Sequence, residues 1–319
     1  MNAVPEHAAD GDGRVTVALA ELIALRARVA RRGLPPEPSR SRGSGQQPSR
    51  VYGRGMDYAE SRAYQPGDDI RRMDWRLTAR SGRLHTKLFE EEREGRLLVL
   101  LDQSPSMRFG TRVRFKSVQA ARAAALAVWL AIQAGERVAL MAAGALLPSL
   151  PPRGGPRGAL AALGALARWD AAGSAVAGEP LAEALGRARR VARGANRVLL
   201  ISDGVQADEA CASKLADLAR HARLGVLVVA DALELAEPPA GRYLFEHAGQ
   251  VSRVDLGAER RRAAFRHCLG GGGDRLLAMA AGAGIPARRI DTAADPLEAV
   301  SALLATSARR GVLPVGSRA

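Results

Sequence analysis

From Arg96 onward, short apolar runs alternate with longer segments whose apolar positions recur at helical spacing. The runs Leu97–Leu101, Val138–Ala142, Arg197–Ser202 and Val226–Ala230 predict buried strands. Gln250–Leu256 is a fifth candidate, and Ala287–Asp291 reads as a weak edge strand. Between them the pattern predicts helices over Arg114–Gln133, Gly158–Arg168, Leu181–Arg193, Glu209–Arg223, Asp274–Ala283 and Pro296–Arg309. Leu146–Pro152 reads as a short antiparallel return, and Gly135 as a left-handed cap closing the first long helix. Strands alternating with helices in this way predict an α/β fold: a Rossmann-like, doubly wound, mostly parallel sheet covered by helices on both faces.

The first third of the chain lacks this alternation. Val15–Arg32 reads as one short amphipathic helix, with Leu19, Leu22, Ile23 and Val29 near helical spacing, and Leu34–Arg50 as a flexible basic linker rich in Pro, Ser and Gly. Val51–Glu94 is dense in charge, carries a turn signal at Pro66-Gly67-Asp68-Asp69, and offers a strand at Arg83–Phe89. The expected organisation is therefore an N-terminal helix and linker over residues 1–50, a charged, hairpin-rich extension over 51–95, and the sheet domain over 96–319.

Composition narrows the class. A hydrophobic content of 47% supports a real core, but aromatics are only 4%, so that core must be built from Ala, Leu and Val. The net charge of +14 comes almost wholly from arginine, because Lys87, Lys116 and Lys214 are the only lysines. The arginines are spread along the chain and read as solvated basic faces. No aromatic-interleaved basic patch is present, and no nucleic-acid partner is expected. Cys211 and Cys268 form no CxxC pair, which suits reduced thiols of a cytoplasmic protein. The longest clean apolar run, Ala123–Ile132, is shorter than the roughly 20 residues a bilayer span needs, so no direct membrane insertion is expected.

The candidate chemistry gathers where apolar strands end. Asp102-Gln103-Ser104-Pro105-Ser106 follows the Leu97–Leu101 run, and Asp203-Gly204 follows Val198–Ser202. Ligands of open α/β sheets bind at the carboxyl ends of strands. A carboxylate and two hydroxyls converging there suit Mg2+ or another hard divalent cation, which takes oxygen ligands and keeps several waters. A bland reading makes Asp102 and Ser106 caps of the next helix.

These residues resemble the von Willebrand factor A fold and its metal-ion-dependent adhesion site. The resemblance implies that Ser104 and Ser106 contact the metal while Asp102 and Asp203 act largely through water. A threonine from an intermediate loop normally completes that set. The matching loop here reads Gly173-Ser174-Ala175-Val176-Ala177-Gly178, so Ser174 is the residue in place to supply the hydroxyl. A second resemblance covers more of the chain. Tyr64-Gln65-Pro66-Gly67-Asp68-Asp69-Ile70-Arg71-Arg72-Met73-Asp74-Trp75-Arg76 is similar to the signature of the bacterial DUF58 family. Thr78-Ala79-Arg80, Phe89-Glu90-Glu91-Glu92-Arg93 and the early Leu22–Arg26 segment continue the likeness. It implies a short soluble member that works as a metal-dependent adaptor, or chaperone-like partner, of a MoxR-type AAA+ ATPase. Within the signature, Asp68, Asp69 and Asp74 interleave with Arg71, Arg72, Arg76 and Arg80. This reads first as a hairpin fixed by Arg–carboxylate pairs with Trp75 as a buried anchor, and second as a docking surface.

Several chemistries lack their motifs. There is no GxxxxGK[ST], no GxSxG elbow and no HExxH, and the five histidines are scattered. Gly154, Gly155, Gly158 and the run Gly270–Gly273 read as flexible loops. The leading expectation is a non-enzymatic binding module in which Asp102, Ser104, Ser106, Ser174 and Asp203 hold a divalent cation whose open position takes an Asp or Glu of a partner protein. The alternative is a magnesium-dependent hydrolase using the same pocket.

Overall fold

In a computed structural model the described residues are 11–30, 56–91, 95–172, 178–236, 238–247 and 250–305. The chain divides into two compact units, residues 36–94 and residues 1–35 together with 95–319. In the larger unit α1 (Leu19–Ala24) and α2 (Arg26–Val29) come first. The smaller unit pairs β1 (Met56–Ala63) antiparallel with β2 (His85–Glu91), and α3 (Trp75–Ser81) lies between them in sequence. Asp74 caps α3 by accepting from the Leu77 amide at 3.0 Å and also accepts from Ser61 Oγ at 2.7 Å. Arg62 pairs with Asp68 at 2.7 Å. Trp75 is not the buried anchor expected from the sequence: as the first residue of α3 it is 62% exposed, while Met73, bridged to Thr86, is buried.

The larger unit is a mixed α/β body with a mostly parallel central sheet. Its elements are β3 (Arg96–Asp102), α4 (Lys116–Gln133), β4 (Arg137–Ala143), β5 (Leu150–Arg153), α5 (Gly155–Ala172), α6 (Leu181–Val191), β6 (Arg197–Ser202), α7 (Glu209–His221), β7 (Arg223–Ala230), α8 (Ala232–Leu235), β8 (Arg242–His247), β9 (Gln250–Asp255), α9 (Glu259–Gly282), β10 (Ala287–Asp291) and α10 (Leu297–Ala305). The sheet order is β10-β7-β6-β3-β4-β5, parallel throughout except for the β4–β5 pair. Successive residues of β3 point to opposite faces. Leu97, Val99 and Leu101 pack with α1, α2, α4, α5 and α10, whereas Leu98 and Leu100 pack with α6, α7 and α9. Both faces are therefore covered, which is why β3 is apolar without alternation. From residue 116 to 131, α4 is buried at every position except Arg122, as an Ala- and Leu-rich helix in the middle of a layer should be.

The structure departs from the sequence expectations in four further places. Gln250–Asp255 does not join the central sheet. It forms a separate antiparallel hairpin with β8, which the sequence reading missed. The expected helix Val15–Arg32, described as far as residue 30, is broken rather than continuous: the amides of residues 14–16 turn around the Asp12 carboxylate, and the helical part divides at Leu25. These N-terminal helices also fold onto the sheet unit rather than standing apart from it, since Trp129 Nε1 donates to the Leu22 carbonyl at 3.0 Å and Leu22, Leu25 and Val29 are buried. Finally, apart from Gly154, the glycines read as loops belong to helices. Gly155 opens α5, Gly158 lies within it, and Gly270–Gly273 sit inside the 24-residue α9. Among the described residues no helix is long and apolar enough to cross a membrane.

Candidate functional site

The sheet reverses its direction of growth between β3 and β6. From β3 the chain adds β4 and β5 on one side, then returns to add β6, β7 and β10 on the other. The carboxyl ends of two adjacent parallel strands that lead away in opposite directions leave a crevice between their loops. Asp102 is the last residue of β3, and Asp203 follows the last residue of β6.

Asp102 is 1% exposed and is held on both oxygens. Its Oδ1 accepts from the Ser104 amide at 2.9 Å, and its Oδ2 from Ser202 Oγ at 2.6 Å. Ser202 Oγ in turn accepts from the Gly204 amide at 3.0 Å, so β6 and its following turn position the β3 carboxylate. Ser104 is extended (φ −63°, ψ 156°), as the residue before Pro105 must be, and Pro105–Met107 forms one 3-10 turn anchored by the fully buried Met107. That turn brings Ser104 Oγ and Ser106 Oγ to 3.0 Å. The next helix does not use Asp102 or Ser106 as a cap, because the N-cap of α4 is Phe115. Opposite the loop, Gly144 has φ +72°, and a Cβ there would lie 2.7 Å from Asp102 Oδ1 and 2.8 Å from the Ser104 nitrogen. Only glycine leaves room for the cradle. Burial, and then the like charge of Asp203, push the Asp102 carboxyl up to about 6.

Asp203 has a partner of its own. Lys116, the first residue of α4, is buried and places Nζ 2.8 Å from Asp203 Oδ2 and 2.6 Å from Glu234 Oε1. The ammonium also lies 5.6 Å from the Phe109 ring centroid, within cation–π range. Burial works against its charge, but the two carboxylates outweigh burial and raise its pKa. Burial raises Glu234 as well, although Lys116 opposes the shift. The Asp231 amide donates to Glu234 Oε2 at 2.8 Å, and Asp231 caps α8 in a capping box. Asp231 also accepts from Thr111 Oγ1 at 2.6 Å, the Thr111 amide at 3.0 Å and Thr292 Oγ1 at 3.2 Å. Burial pushes its carboxyl up, yet these donors win and hold it below the usual range.

Four of the five residues expected from the sequence, Asp102, Ser104, Ser106 and Asp203, thus lie at one sheet edge. Ser174 falls within residues 173–177, outside the described residues. Lys116, Glu234, Asp231, Ser202 and Thr111 were not foreseen. Asp231 had a usable signal, since it ends the Val226–Ala230 run just as Asp102 and Asp203 end theirs. Lys116 had a fainter one, as one of three lysines in an arginine-rich chain. The donors around Asp102 are carboxylate and hydroxyl oxygens. Among the described residues there is no group of three or more His, Cys, Asp or Glu side chains able to hold a metal.

Residues 60–269 match the family described as "Protein of unknown function DUF58", which is more than half of the chain. The chain belongs to the DUF58 family. The DUF58 match takes in Asp102, Ser104, Ser106, Lys116, Asp203, Asp231 and Glu234. The chain is 34% identical over 199 residues to Uncharacterized protein Rv1480 of Mycobacterium tuberculosis and to Uncharacterized protein Mb1516 of Mycobacterium bovis. Each alignment spans 62% of this DUF58 chain and 62% of the relative. Among solved structures it is similar to the conserved hypothetical protein BatB of Bacteroides thetaiotaomicron (TM-score 0.41, 16% identity, 66% of this chain and 97% of that one). It is also similar to an aerotolerance-related membrane protein of Bacteroides fragilis (TM-score 0.39, 15% identity, 66% and 96%).

Proposed function

We propose that this DUF58 chain is a metal-dependent protein-interaction module of von Willebrand factor A-like architecture, acting in the cytoplasm as an adaptor for a MoxR-type AAA+ ATPase. The observation that carries the reading is the buried Asp102 carboxyl beside the paired Ser104 and Ser106 hydroxyls, at the point where the sheet reverses. Among the described residues no ion pair reaches Asp102, while the Lys116 ammonium is engaged by Asp203 and Glu234. A hard-oxygen set with an uncompensated carboxyl fits a small divalent cation such as Mg2+, and Asp102, Ser104 and Ser106 are the residues that would hold it. When bound, the cation supplies a positive charge at the sheet edge for an acidic side chain of the partner. The chain's own contribution is to fix the oxygens: Ser202 and the Ser104 amide orient Asp102, Pro105 stiffens the loop, and Gly144 leaves the cradle open.

The test is binding of the full chain to a MoxR-type ATPase in magnesium and in chelator. Binding should weaken at least about tenfold in chelator and equally for Asp102→Ala in magnesium. Equal binding in both conditions would sink the reading. Phosphoester turnover in magnesium that disappears with Asp203→Ala would put the hydrolase in its place.

A further inference from the structure

Lys116 pairs with two carboxylates at the sheet edge, Asp203 and Glu234, while the third acidic residue there, Asp102, has no ion pair among the described residues. Asp203 and Glu234 come from different elements, the turn after β6 and α8, and both converge on one ammonium that is 1% exposed. On their other side stands the backbone of α9. A Cβ at Gly273 would lie 3.3 Å from the Asp203 carbonyl oxygen, and one at Gly270 would lie 2.5 Å from the Glu234 carbonyl oxygen. A Cβ at Gly272 would come within 2.7 Å of the Gly204 carbonyl oxygen. The two carboxylate-bearing segments are therefore pinned between an ammonium and a glycine-faced helix. Asp102 is held instead by the Ser104 amide and the Ser202 hydroxyl.

We infer that Lys116 is the resident cation of Asp203 and Glu234, keeping both off a divalent ion held at Asp102, Ser104 and Ser106 and so setting how much positive charge that ion presents. The inference rests on the reading of the Asp102 cluster as a metal site. A divalent cation with Asp102 as its one anionic ligand keeps a net positive charge for an acidic partner. The same cation neutralised by Asp203 as well would bind the protein more tightly and the partner more weakly. Lys116 is thus a positioning residue that trades metal affinity for partner recognition.

The experiment compares the full-length wild type with the pair Lys116→Met and Glu234→Gln, which removes one charge of each sign and leaves Asp203 free. Mn2+ binding is read by electron paramagnetic resonance and titration calorimetry, alongside thermal melts with Mn2+ or chelator. The pair should bind Mn2+ about tenfold or more tightly than wild type and show a larger Mn2+-dependent rise in Tm. Adding Asp203→Asn should remove the gain, and Lys116→Arg alone should keep wild-type affinity. An affinity of the pair equal to or below wild type overturns the inference, whereas a merely structural ion pair would lower Tm without tightening Mn2+. A silent wild type with a pair that binds Mn2+ refutes the Asp102 metal site but supports Lys116 as the counter-ion, and a silent pair refutes both. A pair that folds in neither Mn2+ nor chelator also counts against the inference.

Discussion

A carboxyl group buried beside a second carboxylate holds its proton more tightly than it does in the unfolded chain, and Asp102 is raised on both counts from 3.8 to about 6. Between those values the folded protein binds more protons than the unfolded chain, so stability falls as pH rises. In chelator, the full benefit is present below about pH 4 and is lost by about pH 6, an effect on the order of 2–3 kcal/mol. Asp102→Asn should remove this slope and raise stability at pH 7 by about 1–3 kcal/mol, while abolishing divalent-cation binding. Denaturant unfolding at pH 4.5 and 7 checks it, and an unchanged slope in the variant would place the titration elsewhere. At this scale Asp102 and Asp203 were legible because each ends an apolar run, and Ser104 because it stands two residues after Asp102. Lys116 and Glu234 were not, because their pairing joins residues 118 apart through a four-residue helix that has no periodicity to read.

At the scale of the element, α9 shows where local propensity misleads. Four consecutive glycines cost a helix roughly 1 kcal/mol each relative to alanine, which is why the segment reads as a loop. It stays helical because the glycine face approaches other backbone more closely than any side chain allows. Neighbouring glycines should therefore respond oppositely to the same substitution. A Cβ at Gly271 meets only the His267 ring, at 3.8 Å, so Gly271→Ala should stabilise by up to about 1 kcal/mol. A Cβ at Gly272 would lie 2.6 Å from Val205 Cα, so Gly272→Ala should destabilise by roughly 1–3 kcal/mol despite its better propensity. Urea unfolding of the two variants decides the matter, and equal shifts would mean that α9 does not pack this closely. The β8–β9 hairpin escaped for a related reason. An apolar alternating run announces a strand but not which sheet it joins, and Gln250–Asp255 pairs with its neighbour in sequence.

Across the whole molecule, the four central parallel strands and the covered faces followed from the order of apolar runs, and Asp102 and Asp203 each stood at the end of one, though only the sheet order shows β3 and β6 to be neighbours. What did not follow was that residues near the start of the chain close the core made by residues 97–304. Leu22 is 1% exposed against α4 and α5, and Glu21 pairs with both Arg114 and Arg122. Leu22→Ala should cost about 2–5 kcal/mol, as a core cavity does, and a loss below about 1 kcal/mol in chemical unfolding would show α1 to be dispensable. The contacts that make the sheet edge are all long-range: Ser202 to Asp102 spans 100 residues, Lys116 to Asp203 spans 87, and Thr111 to Asp231 spans 120. Few of them exist until most of the chain is in place, so the edge is assembled late and at high loop-closure cost. A partner that grips this edge, as proposed, would consequently read it as a checkpoint on completed folding: a half-folded chain has no edge to offer, and only finished molecules would be selected.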